Sequence, residues 1–206
     1  EPLIAKFPDL IECREAIQAA GDMLLTCYRN GGKLLVAGNG GSAADAEHIV
    51  GELMKGYILK RPIPTDDRAR LAATWPDGWG TLADRLQGAL PAISLVSQTA
   101  LITAFINDVA PDMFFAQQVY GYGKPGDVFL GITTSGNSPN ILQAVKVARA
   151  FGLGTIGLTG RGGGGLVGLC DITICAPAEG ATLVQERHLP IYHALCAHLE
   201  LEFFER

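Results

Sequence analysis

The apolar run Leu34-Leu35-Val36-Ala37 passes directly into Gly38-Asn39-Gly40-Gly41-Ser42, and the helix-forming run Ala43-Ala44-Asp45-Ala46-Glu47-His48 follows. An uninterrupted apolar run of this length suits a strand buried on both faces. A glycine turn leading from such a strand into a helix is the junction on which parallel α/β sheets are built. The pattern recurs: Ala92–Val96, Asp127–Ile132, Thr155–Leu158 and Ile172–Cys175 read as four further buried strands. Between and around them, apolar spacing predicts helices over residues 9–29, 43–59, 98–106, 112–122 and 138–151, and a last helix that reaches Phe204. Asn30-Gly31-Gly32 ends the first helix, Arg61-Pro62-Ile63-Pro64 stops the second, and Ser138-Pro139 opens the helix to Phe151 with Ser as N-cap and Pro at N1. Pro190 either kinks the last helix or marks its first turn. Residues 65–90 read as a surface excursion with one short helix over Leu82–Leu90; its Trp75 and Trp79 either cap a neighbour's site or, the favoured reading, pack on the surface. The expected architecture is a single α/β domain over residues 1–206, a five-stranded parallel sheet flanked by helices, with an extra N-terminal helix.

Composition narrows the function. A net charge of −5 leaves no basic footprint for nucleic acid. Glu1-Pro2-Leu3 lacks a basic region followed by a long apolar core, and no apolar run reaches membrane-spanning length. Neither a signal peptide nor a membrane partner is expected, and the expected location is cytoplasmic. The five cysteines are scattered without zinc-ribbon spacing and read as buried reduced thiols.

In parallel sheets, ligands bind at the carboxyl ends of the strands. Two strand ends carry polar loops of similar make-up, Gly38–Ser42 and Thr133-Thr134-Ser135-Gly136-Asn137-Ser138, each before a helix. Hydroxyls and free backbone N–H groups at a helix N-terminus suit phosphate. A nicotinamide site fits poorly: an acidic residue should end the next strand, and Tyr57 and the Arg61-Pro62 break stand there instead. A Walker loop needs a Lys that is absent. His48 and Glu52, four residues apart, share a helix face as a base and a possible metal ligand, and Gln185 and His193 are their expected partners. Thr182-x-x-Gln185 also fits a capping box. His188 and His198 read as surface or interface residues, and Glu186, Glu200, Glu202 and Glu205 as solvated charges.

On these motifs the chain resembles the SIS (sugar isomerase) domain family, specifically the phosphoheptose isomerases. Gly38–Ser42 is similar to their Gly-Asn-Gly-Gly-Ser loop, and His48 and Glu52 to their His-x-x-x-Glu pair. Asn107-Asp108 matches an Asn-Asp pair, and Gly131–Ser138 a hydroxyl-rich loop in which Thr133 replaces a Ser. Gln185 and His193 match a Gln and a His of the last helix. Two features depart from the pattern: the excursion at 65–90, and Ser97-Gln98 where an Asp is expected.

The resemblance implies that Asn39, Gly40, Gly41, Ser42, Asn107 and Asp108 hold the sugar, with Glu52 and Gln185, and that Thr133, Thr134, Ser135 and Ser138 hold its phosphate. It implies Glu52 and His193 as catalytic residues, and His48, Glu52, Gln185 and His193 as ligands of a zinc ion, one per subunit. It also implies a homotetramer with sites at subunit boundaries. The expected reaction converts sedoheptulose 7-phosphate to D-glycero-manno-heptose 7-phosphate. The alternatives are isomerisation of another sugar phosphate and a non-catalytic SIS adaptor that binds the DnaA replication initiator. Sugar-phosphate-sensing regulators usually add a DNA-binding helical domain, for which the residues before the expected first strand are too few and not basic.

Overall fold

A computed structural model describes residues 2–205. Five strands form one sheet: β1 (Leu34–Gly38), β2 (Ala92–Ser94), β3 (Val128–Ile132), β4 (Gly154–Thr159) and β5 (Ile172–Cys175). Their order is β2-β1-β3-β4-β5, and every pair is parallel. β1 and β3 are buried at every position, which is why they read as unbroken apolar runs.

Alternation along the strands sends side chains to two cores. Leu34, Val36, Leu130 and Ile156 pack against helices α2 (Arg14–Arg29), α3 (Gly41–Met54) and α9 (Ala181–Phe204). Leu35, Ala37 and Phe129 face α7 (Phe114–Tyr122) and α8 (Pro139–Ala150). Asp127 ties the lower ends of β1 and β3 together, accepting from the backbone N–H groups of Lys33 and Lys124 and from the Lys33 ammonium. Among the described residues, no helix is long and apolar enough to cross a membrane. All five cysteines are free, and four of them are buried.

The helices depart from expectation in instructive ways. The N-terminal helical region is broken into α1 (Pro2–Lys6), a 3-10 turn at Pro8–Cys13, and α2, because Pro8 sits where a continuous helix would need its N–H. The excursion holds two helices, α4 (Thr65–Thr74) and α5 (Trp79–Arg85), and the segment after Arg85 is extended rather than helical. An antiparallel bridge between Pro62 and Gln87 closes its neck. α4 buries no residue, Trp75 is exposed, and Trp79 packs under the Arg68 guanidinium. α6 (Thr99–Asp108) precedes α7 and buries no residue either. α9 runs unbroken through Pro190, which is buried inside it.

α3 stops at Met54, short of the Leu59 expected from the sequence. Its continuation is prevented from afar: the backbone N–H groups of Tyr57, Ile58 and Leu59 donate to the carboxylate of Glu200. Glu200 is therefore not a solvated charge. It is fully buried and paired with the equally buried Arg61. Burial alone would raise its carboxyl pKa, but the three backbone donors and Arg61 outweigh burial and hold it below the ordinary carboxylate range.

His188 is likewise not a surface residue. It is fully buried in α9 near the Thr159 backbone, and among the described residues neither ring nitrogen makes a hydrogen bond of good geometry. Burial pushes its pKa down to about 4. An unfolded His titrates near ~6.5, so between those values the unfolded chain binds a proton that the native chain refuses. Stability therefore falls as pH drops from about 6.5 to about 4, by roughly 3 kcal/mol over the whole window. Urea unfolding at several pH values should show a clearly steeper loss of stability in the wild type than in His188→Leu, where the smaller part due to His193 remains. Equal slopes in the two proteins would refute the assignment.

Candidate active site

The chain enters β2 on one side of β1 and β3 on the other, so the strand order reverses between β1 and β3. A crevice opens at the carboxyl ends of strands at such a point. The two polar loops flank it. Asn39, after β1, and Asn140, in the first turn of α8, exchange side-chain amide hydrogen bonds of 3.0 and 2.9 Å that join the loops. Beside this pair, three hydroxyls cluster: Thr133 Oγ1 lies 2.8 Å from Ser138 Oγ and 3.4 Å from Ser135 Oγ. Ser138 holds the N-cap position of α8, but its hydroxyl turns to Thr133 instead of capping the helix, contrary to the sequence expectation. The N–H of Ile141, at N3, which such a cap would serve, donates instead to Asn140 Oδ1 at 3.0 Å. Thr134 is half-buried, and its carbonyl accepts from Gly160 N–H. Ser42 is buried in the first turn of α3.

The acid–base cluster stands on the facing sides of α3 and α9. His48 Nε2 is 3.1 Å from Glu52 Oε1, the one-turn spacing that the sequence offered. His48 Nδ1 is 2.9 Å from the Tyr192 hydroxyl, which donates in turn to Asp45 Oδ1 at 3.3 Å. A chain of polar contacts thus runs Asp45–Tyr192–His48–Glu52, and Lys55 Nζ donates to Glu52 Oε2 at 3.3 Å. The His193 ring stands edge-on to His48 at 5.0 Å between centroids, with the Tyr57 ring on it at 5.5 Å. Burial, then the nearby His48, lowers the His193 pKa. Burial raises those of Asp45, Tyr57 and Tyr192.

The structure gathers His48, Glu52 and His193. Gln185 lies about 12 Å further along the α9 axis, eight residues before His193. Its side-chain amide sits against Gly41 at the start of α3. The α9 N-cap is Gly180, so Thr182 and Gln185 form no capping box. Asn107 and Asp108 are exposed at the end of α6, where Asn107 Nδ2 donates to Asp108 Oδ1 at 2.7 Å. Neither reaches the His48 cluster within this chain by any side-chain hydrogen bond among the described residues.

Sequence reasoning assigned no role to Asp45, Tyr57 or Tyr192. Asp45 could have been found, since it lies one turn before His48 on the same face. Two imidazoles, a carboxylate and an amide are donors that suit zinc. Among the described residues no three His, Cys, Asp or Glu side chains stand as a ready metal cluster. The buried His193 Nε2, however, has no hydrogen-bond partner among the described residues, which leaves it a lone pair or proton for an ion or a substrate hydroxyl.

Gly41 gives a test of Gln185. A methyl at this position would overlap the Gln185 amide, the far end of a flexible side chain, and the backbone there is unstrained. Gly41→Ala should therefore displace Gln185 at a stability cost within about 1 kcal/mol. Turnover should fall to match Gln185→Ala, and the double variant should be no worse than either single one. Additive losses in kcat/KM would show that the two positions act independently.

Comparison with known proteins bears on this arrangement. The model of a family described as the SIS domain matches residues 10–75 and 76–160. A phosphoheptose isomerase of Nitratidesulfovibrio vulgaris (strain Hildenborough) is 40% identical over 191 residues, covering 93% of this chain and 79% of that protein. One from Trichlorobacter lovleyi is 37% identical over 193 residues, covering 94% and 85%. The solved structure of a phosphoheptose isomerase from Neisseria gonorrhoeae superposes with a TM-score of 0.72 at 32% identity, covering 97% of each chain. That from Francisella tularensis gives 0.77 at 33% identity, covering 95% of this chain and 90% of the other.

Proposed function

The chain belongs to the SIS domain family, and from that premise we propose that it is an aldose–ketose isomerase converting sedoheptulose 7-phosphate to D-glycero-manno-heptose 7-phosphate. The observation that carries the reading is the Glu52 carboxylate, hydrogen-bonded to His48, with the unpartnered His193 nitrogen beside the same ring. Isomerisation needs a base that takes a proton from one carbon and returns it to the next, and a second group that moves hydroxyl protons.

Glu52 removes the C1 proton of the open-chain ketose, giving an enediolate, and returns it at C2. His193 takes the proton from the C1 hydroxyl as that oxygen becomes the aldehyde and delivers a proton to the C2 oxygen. Atoms and charge balance without an external oxidant. Asn39, Gly40, Gly41 and Gln185 orient the sugar chain, and the hydroxyls of Thr133, Thr134, Ser135 and Ser138 receive its phosphate. His48, Glu52, His193 and, after a shift of its side chain, Gln185 would hold a zinc ion, whose chemistry there is to polarise the carbonyl.

We place Asn107 and Asp108 in a site completed between copies of the chain, in a cytoplasmic homotetramer. Support comes from α6, which packs Ile102 and Phe105 part-buried against the core but leaves Leu101 and Ile106, with Val109 at its C-cap, exposed. The adaptor reading is weaker, because both Glu52 and His193 pack against His48 as a working acid–base pair would.

The test is turnover of sedoheptulose 7-phosphate by the purified protein, before and after chelation and with zinc restored. Turnover lost on chelation and recovered with zinc supports the whole reading, and turnover indifferent to chelation removes the metal. No turnover under any condition overturns the reaction.

A further inference from the structure

Arg61 and Glu200 are both fully buried, and together they form an ion pair inside the fold. Taking two charges out of water is costly, and an apolar pair of similar volume would stabilise a core as well or better. What the pair holds is therefore informative.

Among the described residues, every side-chain hydrogen bond the pair makes runs to one short segment, the end of α3 and the turn beyond it. Glu200 Oε1 accepts from Tyr57 N–H at 2.8 Å and from Arg61 Nε at 2.6 Å. Its Oε2 accepts from the N–H groups of Ile58 at 2.7 Å and Leu59 at 3.0 Å. The guanidinium, laid over the Phe204 ring, donates through Nη1 to the carbonyl of Leu53 at 2.8 Å and through Nη2 to that of Glu52 at 3.0 Å. These are last-turn carbonyls that the helix itself leaves without donors, at the end where a cation suits its dipole.

The two ends of this clamp touch the two catalytic side chains at one remove. One end grips the backbone of Glu52. The other fixes Tyr57, whose ring lies on His193. We infer that Arg61 and Glu200 are positioning residues of the isomerase, one buried ion pair that sets the placement of Glu52 and, through Tyr57, of His193. This rests on the reaction proposed above.

Glu200→Gln tests it with little change of volume. The amide would present N–H groups to the backbone N–H donors of Ile58 and Leu59, so the turn must shift while the core stays filled. A misplacement of about 1 Å at a reacting group costs on the order of 10²-fold in rate. The expected result is a kcat for sedoheptulose 7-phosphate lowered ~10- to 100-fold with KM within about threefold, in protein with wild-type circular dichroism and elution volume.

A purely structural role would lower Tm and leave kcat per folded molecule unchanged, and that outcome overturns the inference. Should Glu200→Gln fail to fold, Tyr57→Leu leaves the ion pair intact and removes only the ring on His193. It is expected to lower kcat about tenfold with KM held, and an unchanged kcat there overturns the inference as well. Wild-type turnover that vanishes in Glu52→Gln yet persists in folded Glu200→Gln defeats the clamp alone. A wild type without turnover defeats the reaction and the clamp together.

Discussion

Glu52→Gln is expected to lower kcat for sedoheptulose 7-phosphate by ~10²–10⁴-fold while leaving the protein folded. The substitution keeps the side chain's volume and an oxygen that can accept from His48 or Lys55, the two partners of the wild-type carboxylate. It removes the one property the reaction needs, a group able to take a proton from carbon and return it. The side chain is 13% exposed at the end of α3, so stability should move by no more than about 1 kcal/mol. Direct assay of aldose formation, with circular dichroism as the check on folding, decides it. Near-full turnover in the variant would remove Glu52 as the base. An unchanged KM beside a collapsed kcat would place the loss in the transition state.

The strands and the two polar loops could be read from the sequence because their signals are local. An unbroken apolar run has few structural outlets, and each loop lies next to the strand that presents it. The His48–Glu52 pair was legible for the same reason, since one helical turn separates the two residues. The end of α3 was not, because the carboxylate that captures the N–H groups of residues 57–59 arrives from Glu200, about 140 residues away. Yet α9 held a usable clue. Val184, His188, Tyr192, Cys196 and Glu200 recur every four residues and all are buried. Helical spacing read on apolar positions alone makes the polar residues of the same stripe look like surface. A His or Glu that keeps step with a buried face is a candidate for a buried partner or an unusual protonation state. Tyr57 and Arg61 lie in a turn with no periodicity, and their roles become visible only once Glu200 is placed.

Gly136→Ala should be the most damaging small substitution in the hydroxyl-rich loop that we propose receives the phosphate. Gly136 has φ +70°, where an L side chain is strained, and a methyl there would overlap the Gly163 carbonyl and crowd the Gly164 Cα. The obstacle is backbone on both sides, so no side-chain rotation relieves it. The positive φ costs about 1–3 kcal/mol and the overlap a similar amount, together a large share of a typical stability of about 5–15 kcal/mol. Function should suffer further. Gly160–Gly165 backs the hydroxyl loop, with Gly160 N–H donating to Thr134 O and Gly165 N–H to Asn137 Oδ1. Pushing the two loops apart moves Thr133, Ser135 and Ser138 relative to one another, and KM for the sugar phosphate should rise about tenfold or more in the protein that remains folded. Gly162→Ala supplies the control, since it stands in the same glycine-rich loop with no neighbour near its Cβ position and no positive φ. Thermal unfolding and KM measured on both variants separate the explanations. Damage confined to Gly136→Ala locates the requirement in the close approach of the two loops. Equal damage in both would assign it to flexibility of residues 160–165, and a Gly136→Ala protein with wild-type Tm and KM would refute the packing argument.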